Sequence, residues 1–247
     1  MRLITFIILL WSSSSLYAQV DTVYSIPESW IKSSIREGTT QYLVFFQNKQ
    51  NHKKTGVFVW SRTLSSKTVG ATKCYEVEQQ WYSSDSASHR YVYSLVNQQN
   101  FLPIYHKTIM QRGSEAFDFY EDRMKSSDTV KNIMRPDFEL QGKRALNWEL
   151  DLETFSLLDL KEGKRYAINF YHPGGRTAPK LYEYKVVGSD KVKLFDGKLV
   201  DCWKLRIDYN PTSYAIFYIS KKGKEMIKME EDFGMGVRYK VRLATNF

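Results

Sequence analysis

The chain has 247 residues, 36 Lys and Arg against 27 Asp and Glu, a net charge of +9, and only 13 Gly, 6 Pro and 2 Cys. With 43% apolar residues and two thiols, these numbers exclude a collagen-like or low-complexity chain, a disordered chain and a small disulfide-rich scaffold. The 6 Trp, 17 Tyr and 14 Phe point instead to a β-rich protein, because aromatic side chains favour strands and need large buried or ligand-facing surfaces.

In chain order, Met1 and Arg2 precede an apolar run from Leu3 to Trp11, then Ser12 to Ser15, then Leu16, Tyr17 and Ala18. This is the pattern of a secretory signal peptide over residues 1–18, with cleavage expected after Ala18. The apolar run is about nine residues, against the roughly 20 that span a bilayer. No Cys follows it to take a lipid. Loss of Arg2 lowers the net charge from +9 to +8. A single β domain over 19–247 and a periplasmic location are expected.

Pro27 to Arg36 reads as a short helix, with Trp30, Ile31 and Ile35 on one face and Gly38 after it. Period-two alternation then predicts strands over Gln41–Gln47, Thr55–Leu64, Lys73–Tyr82, Arg90–Val96, Leu102–Met110 and Ala116–Met124. The segment 126–150 joins two halves and contains the breakers Pro136 and Gly142. A helix is expected over Asp151–Asp159, capped by Asp151. Strands follow at Arg165–Tyr171, Leu181–Val187, Val192–Phe195, Leu199–Tyr209, Tyr214–Ser220, Glu225–Glu230 and Gly236–Leu243. In the last, Val237, Tyr239, Val241 and Leu243 are expected to be buried, with Arg238, Lys240 and Arg242 facing water. Turn signals such as Asp196-Gly197 and Asn210-Pro211 separate the strands, as an antiparallel meander requires.

The halves, about 39–125 and 151–247, look alike. Tyr42 to Phe46 parallels Tyr166 to Phe170 at an offset of 124, and Cys74 parallels Cys202 at an offset of 128. The expected architecture is all-β with one or two short helices: a large antiparallel barrel, open or closed, or a curved sheet, made from two duplicated meanders. Alternation places Cys74 and Cys202 on polar faces in matching positions of the two halves, and they are expected to remain unpaired thiols. His52, His89, His106 and His172 are scattered and mark no metal or catalytic motif. The sequence has no nucleophile elbow, P-loop or dinucleotide fingerprint, and adjacent acids such as Glu230 and Glu231 point to opposite faces of a strand. No catalytic residue, cofactor or metal is expected.

Lys and Arg are spread along the strands, densest at Lys221-Lys222-Gly223-Lys224. Such a run is ordinarily a solvated hairpin tip; read functionally, it fits an anionic membrane surface. Export argues against nucleic acid. The aromatic residues expected on the inward strand faces include Trp81, Tyr91, Tyr93, Trp203, Tyr209, Tyr214 and Tyr218. They form either plain core or the lining of an apolar pocket, since Tyr and Trp join an apolar body to a polar tip.

Three stretches carry a family resemblance: Tyr182 to Val187, Asp196 to Lys204 with its Gly-Lys before Cys202 and Trp203, and Tyr218 to Ser220 followed by Met226 to Glu230. They resemble a family of exported bacterial proteins with a domain of unknown function, similar in shape to the LolA- and LolB-like lipoprotein carriers. That resemblance covers about Asp151 to Leu243, and the first half more weakly. It implies an open β-barrel in the periplasm with lipid or lipoprotein contact, and it assigns no functional residue. Three readings follow: a non-enzymatic periplasmic protein binding an apolar or amphiphilic envelope ligand, a structural or interaction protein of the envelope with a filled barrel, and an enzyme acting on cell-wall or polysaccharide material.

Overall fold

The computed structural model describes residues 19–243; the expected leader, residues 1–18, lies outside them. Alternation folds the chain into one continuous curved sheet whose two edges do not pair. The first half contributes β1 (Val20–Val23), helix α1 (Glu28–Ser34), β2 (Gly38–Asn48), β3 (Lys54–Val69), β4 (Thr72–Tyr82), β5 (Arg90–Asn97), β6 (Pro103–Met110), β7 (Gly113–Phe119) and β8 (Arg123–Ser126). The middle supplies β9 (Asp137–Glu139) and β10 (Leu146–Asn147). The second half holds helix α2 (Asp151–Leu157), β11 (Arg165–Tyr171), β12 (Lys180–Lys193), β13 (Leu199–Asn210), β14 (Ser213–Ser220), β15 (Met226–Asp232) and β16 (Gly236–Arg242).

Each half contains a short helix followed by an antiparallel meander, β2 to β8 or β11 to β16. The halves meet where β16 pairs antiparallel with β2, Val237 opposite Gln47 and Arg242 opposite Tyr42. At the other edge, β1 and β10 run parallel to successive stretches of β11. Residues from the joining segment bridge the gap between the edges. Asn169 donates to the carbonyls of Lys143 and Arg144, and Leu140 and Ala145 pack with Phe117 and Tyr171. Side chains and loop thus cover the seam that no strand ladder closes.

The concave face is filled. Ile31 of α1 and Leu152, Phe155 and Leu157 of α2 join one core with Val44, Val77, Val96, Ile168, Leu205 and Phe217 from the strands. Phe155 is fully buried, its ring 4.9 Å from Tyr184 and 4.8 Å from Phe217. A helix this short is not stable alone, so this apolar face holds it in place.

Several expectations are corrected. Ala116–Met124 is two strands with a turn at Tyr120–Asp122, while Leu181–Val187 and Val192–Phe195 form the single strand β12. There Val187 and Gly188 oppose the single residue Lys204, and this bulge, with Gly188 at φ 124°, changes which face the following residues take. Val192 and Leu194 therefore cover a small cluster with Cys202, Tyr218 and Ile227 on the convex side. Asp151 does not cap α2. It is the buried first residue of the helix, and Asn147 caps the preceding 3₁₀ turn, accepting from the Glu149 amide at 2.9 Å. The two thiols are free and fully buried, beneath outer-face side chains rather than on a wet face, and β14, β15, β16, β2 and β3 lie between their strands.

The last strand is inverted relative to its pattern. Arg238, Lys240 and Arg242 share the face of Val44 and Tyr42, both core residues, while Tyr239 stacks on Phe45 outside. The apolar parity of β16 reads as the buried one only while the acidic helix turn it meets is unknown.

Replacing Phe155 by Ala is expected to cost about 3–5 kcal/mol, the range for emptying an aromatic core site. Leu199→Ala, at a residue 60% exposed, is expected to stay within about 0.5 kcal/mol. Urea unfolding of both variants checks the pair; equal losses would contradict the filled concave face.

Candidate functional site

Strand registers place six connections at one end of the sheet: the loops after β11, β13, β15, β2, β4 and β6. At this mouth lies a cleft of about 390 Å³ between the sheet and the turn that leads into α2. Beside it, sharing Trp81 and Arg90, a wider depression of about 580 Å³ opens toward Tyr82, His89 and Ile109. A small recess of about 80 Å³ between α1 and α2 is the remnant of the filled interior.

The inner wall of the cleft starts from β3 and β4. Trp60 and Trp81 are cross-strand neighbours and stack at 4.6 Å. Arg62, two residues on, is 2% exposed and commits its whole fork. It donates to Gln79 Oε1 at 2.8 Å, to the Glu149 carbonyl at 3.2 Å and to both carboxylate oxygens of Glu153. Gln79 also accepts from Trp60 Nε1 at 3.1 Å and donates to the Glu149 carbonyl at 2.9 Å. The turn 148–150 is thereby tied to the sheet through its backbone.

Behind it, Asn147 Nδ2 donates to His106 Nδ1 at 3.0 Å, Ser94 Oγ lies 2.9 Å from the same nitrogen, and Thr108 Oγ1 is 3.0 Å from His106 Nε2. Burial pushes the His106 pKa down to about 4, with Glu149 opposing and Arg90 reinforcing the shift. The pair of Ser94 and His106 is enclosed and does not reach the cleft.

Around the opening, charges alternate. Arg90 donates to Glu149 at 2.7 Å, and Arg238 pairs closely with Glu231. Burial alone would raise the Glu149 carboxyl, but Arg90, with His106 and Arg62 behind it, holds it at about 2. Lys240 is 8% exposed, its ammonium 4.4 Å over the Trp60 ring. Among the described residues it has no hydrogen-bond or ion-pair partner. Burial lowers its pKa to about 8, with Asp151 opposing and Arg238 reinforcing. Asp151 is held above its usual range by the same burial, with Lys240 and Arg62 pulling the other way. The other wall is Trp148, stacked on His172 at 4.0 Å and edge-on to Tyr182 at 4.6 Å. Among the described residues, no three His, Cys, Asp or Glu side chains are grouped to hold a metal ion.

Of the seven aromatics expected to line a pocket, Trp81 and Tyr209 do line the cleft. Trp203 shares the concave face but sits toward the opposite end of β13, with Lys221 Nζ 4.0 Å over its ring. The other four are on the convex face, a correction of the expected parity, and of these Tyr91 lines the wider depression beside the cleft. Tyr91 donates to Glu78 at 2.8 Å, Tyr93 to Glu76 at 2.5 Å and Tyr218 to Glu230 at 3.2 Å, while Tyr214 lies under Arg206 at 4.1 Å. Their inward neighbours are Val92, Ser94 and Val96 on β5 and Ala215, Phe217 and Ile219 on β14. Both parities of these strands carry apolar residues; phenols go outward where carboxylates can accept from them.

Trp60, Arg90, Glu149, Asp151, Glu231, Arg238 and Lys240 also line the cleft and were not legible as a site in the sequence. The available signal was the Arg238, Lys240, Arg242 alternation, which marks one face of β16 as charged without saying what it meets.

A model of a family described as a protein of unknown function, DUF3108, matches residues 41–242. The chain belongs to that family. Among solved structures it is similar to a β-barrel-like protein of domain of unknown function DUF1849 from Brucella abortus. The TM-score is 0.54 at 8% identity, over 85% of this chain and 97% of that one. The DUF3108 chain also matches a DUF1329 family protein from Desulfovibrio piger ATCC 29098 at 8% identity, over 87% and 88% of the two chains, with a TM-score of 0.29. No curated protein matches the sequence. The first likeness is one of fold.

Because His106 is neutral when folded and binds a proton near pH 6.5 when unfolded, its contribution is complete above about pH 6.5 and drains away as pH falls toward 4. Urea unfolding at steps between pH 7 and 4 is expected to show falling stability, with a shallower slope in His106→Gln. An identical slope in the variant would remove His106 from the account.

Proposed function

We propose that this DUF3108 protein is a non-enzymatic, periplasmic binding protein of the cell envelope, and that its ligand is an amphiphile held by its polar end in the cleft at the mouth of the sheet. The observation that carries the reading is the division of the concave face. Its centre, where an acyl chain would lie in a carrier of the LolA-like type, is occupied by α1, α2 and their apolar partners. Its mouth keeps an open cleft with aromatic walls and convergent charged groups, the usual make-up of a small-ligand site.

The rim supports an amphiphile rather than a wholly polar ligand. Val57, Tyr82, Ile109, Tyr209, Phe233 and Met235 are all exposed around the mouth, Met235 by 85%. Lys53 and Lys54 stand in the same rim, in the β2–β3 connection and at the start of β3. Apolar residues beside lysines suit contact with alkyl groups at an anionic membrane surface, where a lipid or lipoprotein would be met.

A second reading, an enzyme acting on cell-wall or polysaccharide material, draws on the convergence of Asp151, Glu231 and Lys240 in the cleft. Release of reducing ends from envelope polysaccharide by the wild-type protein, abolished in Asp151→Asn, would replace the binding reading.

Native mass spectrometry of protein purified from membranes is expected to show a bound mass, lost or reduced at least tenfold in Trp81→Ala. A bare mass for the wild-type protein under gentle extraction would count against the proposal. Vesicle sedimentation gives a separate check: association with phosphatidylglycerol vesicles is expected to weaken between about 50 and 300 mM salt as the Debye length shrinks. Salt-independent association would place the contact with the apolar rim alone.

A further inference from the structure

We infer that the group held in the cleft is a saccharide, an inference that rests on the binding reading above and specifies its ligand. The charges of the cleft disfavour an anion. The cleft carries three cations, Arg90, Arg238 and Lys240, and three carboxylates, Glu149, Asp151 and Glu231. Both arginines are already paired, with Glu149 and Glu231. A phosphate or carboxylate would meet a balanced set whose carboxylates repel it, and only one uncommitted cation. A hydroxyl group faces no such conflict, because it donates and accepts at once.

Part of the polar capacity of the cleft is unused. Lys240 is more than nine-tenths buried, lines the cleft and has no hydrogen-bond or ion-pair partner among the described residues. Asp151, also buried and lining the cleft, spends Oδ1 on the amide of its own neighbour Leu152 and makes no ion pair among the described residues. A native site seldom leaves a deeply buried charged side chain unpartnered unless a ligand or ordered water completes it. Donors and acceptors are both on offer, and a polyhydroxylated ring uses both.

The shape of the cleft fits a ring: Trp81, backed by the buried Trp60 at 4.6 Å, and Trp148, stacked on His172, wall a space of about 390 Å³. Indole and imidazole faces are flat and electron-rich, and they complement the C–H face of a pyranose ring while its hydroxyls reach the polar groups at its edge. An acyl chain gains nothing from the charged edge, and a bare anion gains nothing from the walls.

The test uses the full chain and its tryptophan fluorescence, titrated with a panel of neutral and N-acetylated hexose trisaccharides. Inorganic phosphate serves as the sugar-free probe. A saturable change with at least one trisaccharide is expected, weakened at least tenfold in Asp151→Asn and in His172→Ala. Melting curves identify any variant that fails to fold, and Lys240→Gln then replaces it. Methyl and octyl glycosides of the sugar that binds separate the sources: equal affinity means a free glycan, and tighter binding of the octyl form means a sugar-headed amphiphile. Saturable phosphate binding without any trisaccharide binding overturns the inference. Methanolysis of a mass co-purified from membranes makes the two levels distinguishable. A bound amphiphile without hexose overturns the saccharide but leaves the binding reading standing, whereas no bound mass and no saccharide binding overturn both.

Discussion

The buried guanidinium of Arg62 is the constraint on which the interior depends. It lies on a strand face that is otherwise core, and taking it out of water is costly unless every donor finds a partner. Those partners come from two places at once: Gln79 on the next strand, and the Glu149 carbonyl and Glu153 carboxylate on the segment that enters from the opposite half. The charge therefore cannot be satisfied by the first meander alone. It is satisfied only when α2 is docked, so the polar network specifies where the helix sits, while Phe155 buries its ring against Tyr184 and Phe217.

That docking decides what space remains on the concave face. With α1 and α2 inside the curve, its centre is filled and the open cleft lies at the mouth. The same turn that fills the centre delivers Trp148, Glu149 and Asp151 to the opening. Structure-holding and cleft-forming groups are thus neighbours along the chain: the backbone of Glu149 binds Arg62, and its side chain binds Arg90.

Much of the fold was legible because strand alternation and turn chemistry are local. Boundaries such as Arg165–Tyr171 need only period two and a flanking turn, and α1 needs only Pro27 and its apolar face. Facing was not legible where both parities of a strand carry apolar residues. In β5 the tyrosines are the larger side chains, yet they lie outside because Glu76 and Glu78 accept from them there. The bulge at Val187 and Gly188 was invisible for a related reason: a single extra residue changes every later facing, and nothing in the local pattern marks it. β1 escaped notice because four residues paired in parallel with a strand far along the chain carry no local signature.

The cleft was the least legible part, and β16 shows why. Its three basic residues make a regular wet stripe when the strand is read alone. Read against β2, with which it pairs, the same stripe shares the face of Tyr42 and Val44 and runs alongside acids from other elements: Glu225 beside Arg242, Asp151 near Lys240 and Glu231 beside Arg238. Two of these acids precede β16 by fewer than twenty residues, but Asp151 comes from a helix separated from the strand by the rest of the second meander. A cation can face inward only where its counter-charge is already placed, so the polarity of β16 is a property of the assembled sheet and not of its own seven residues. Lys240 is where that placement is incomplete: Asp151 is near enough to oppose the fall in its pKa, yet the ammonium rests on Trp60 without a hydrogen bond. The strand pairs its two arginines and leaves the cation between them, the most deeply buried of the three, without a partner among the described residues.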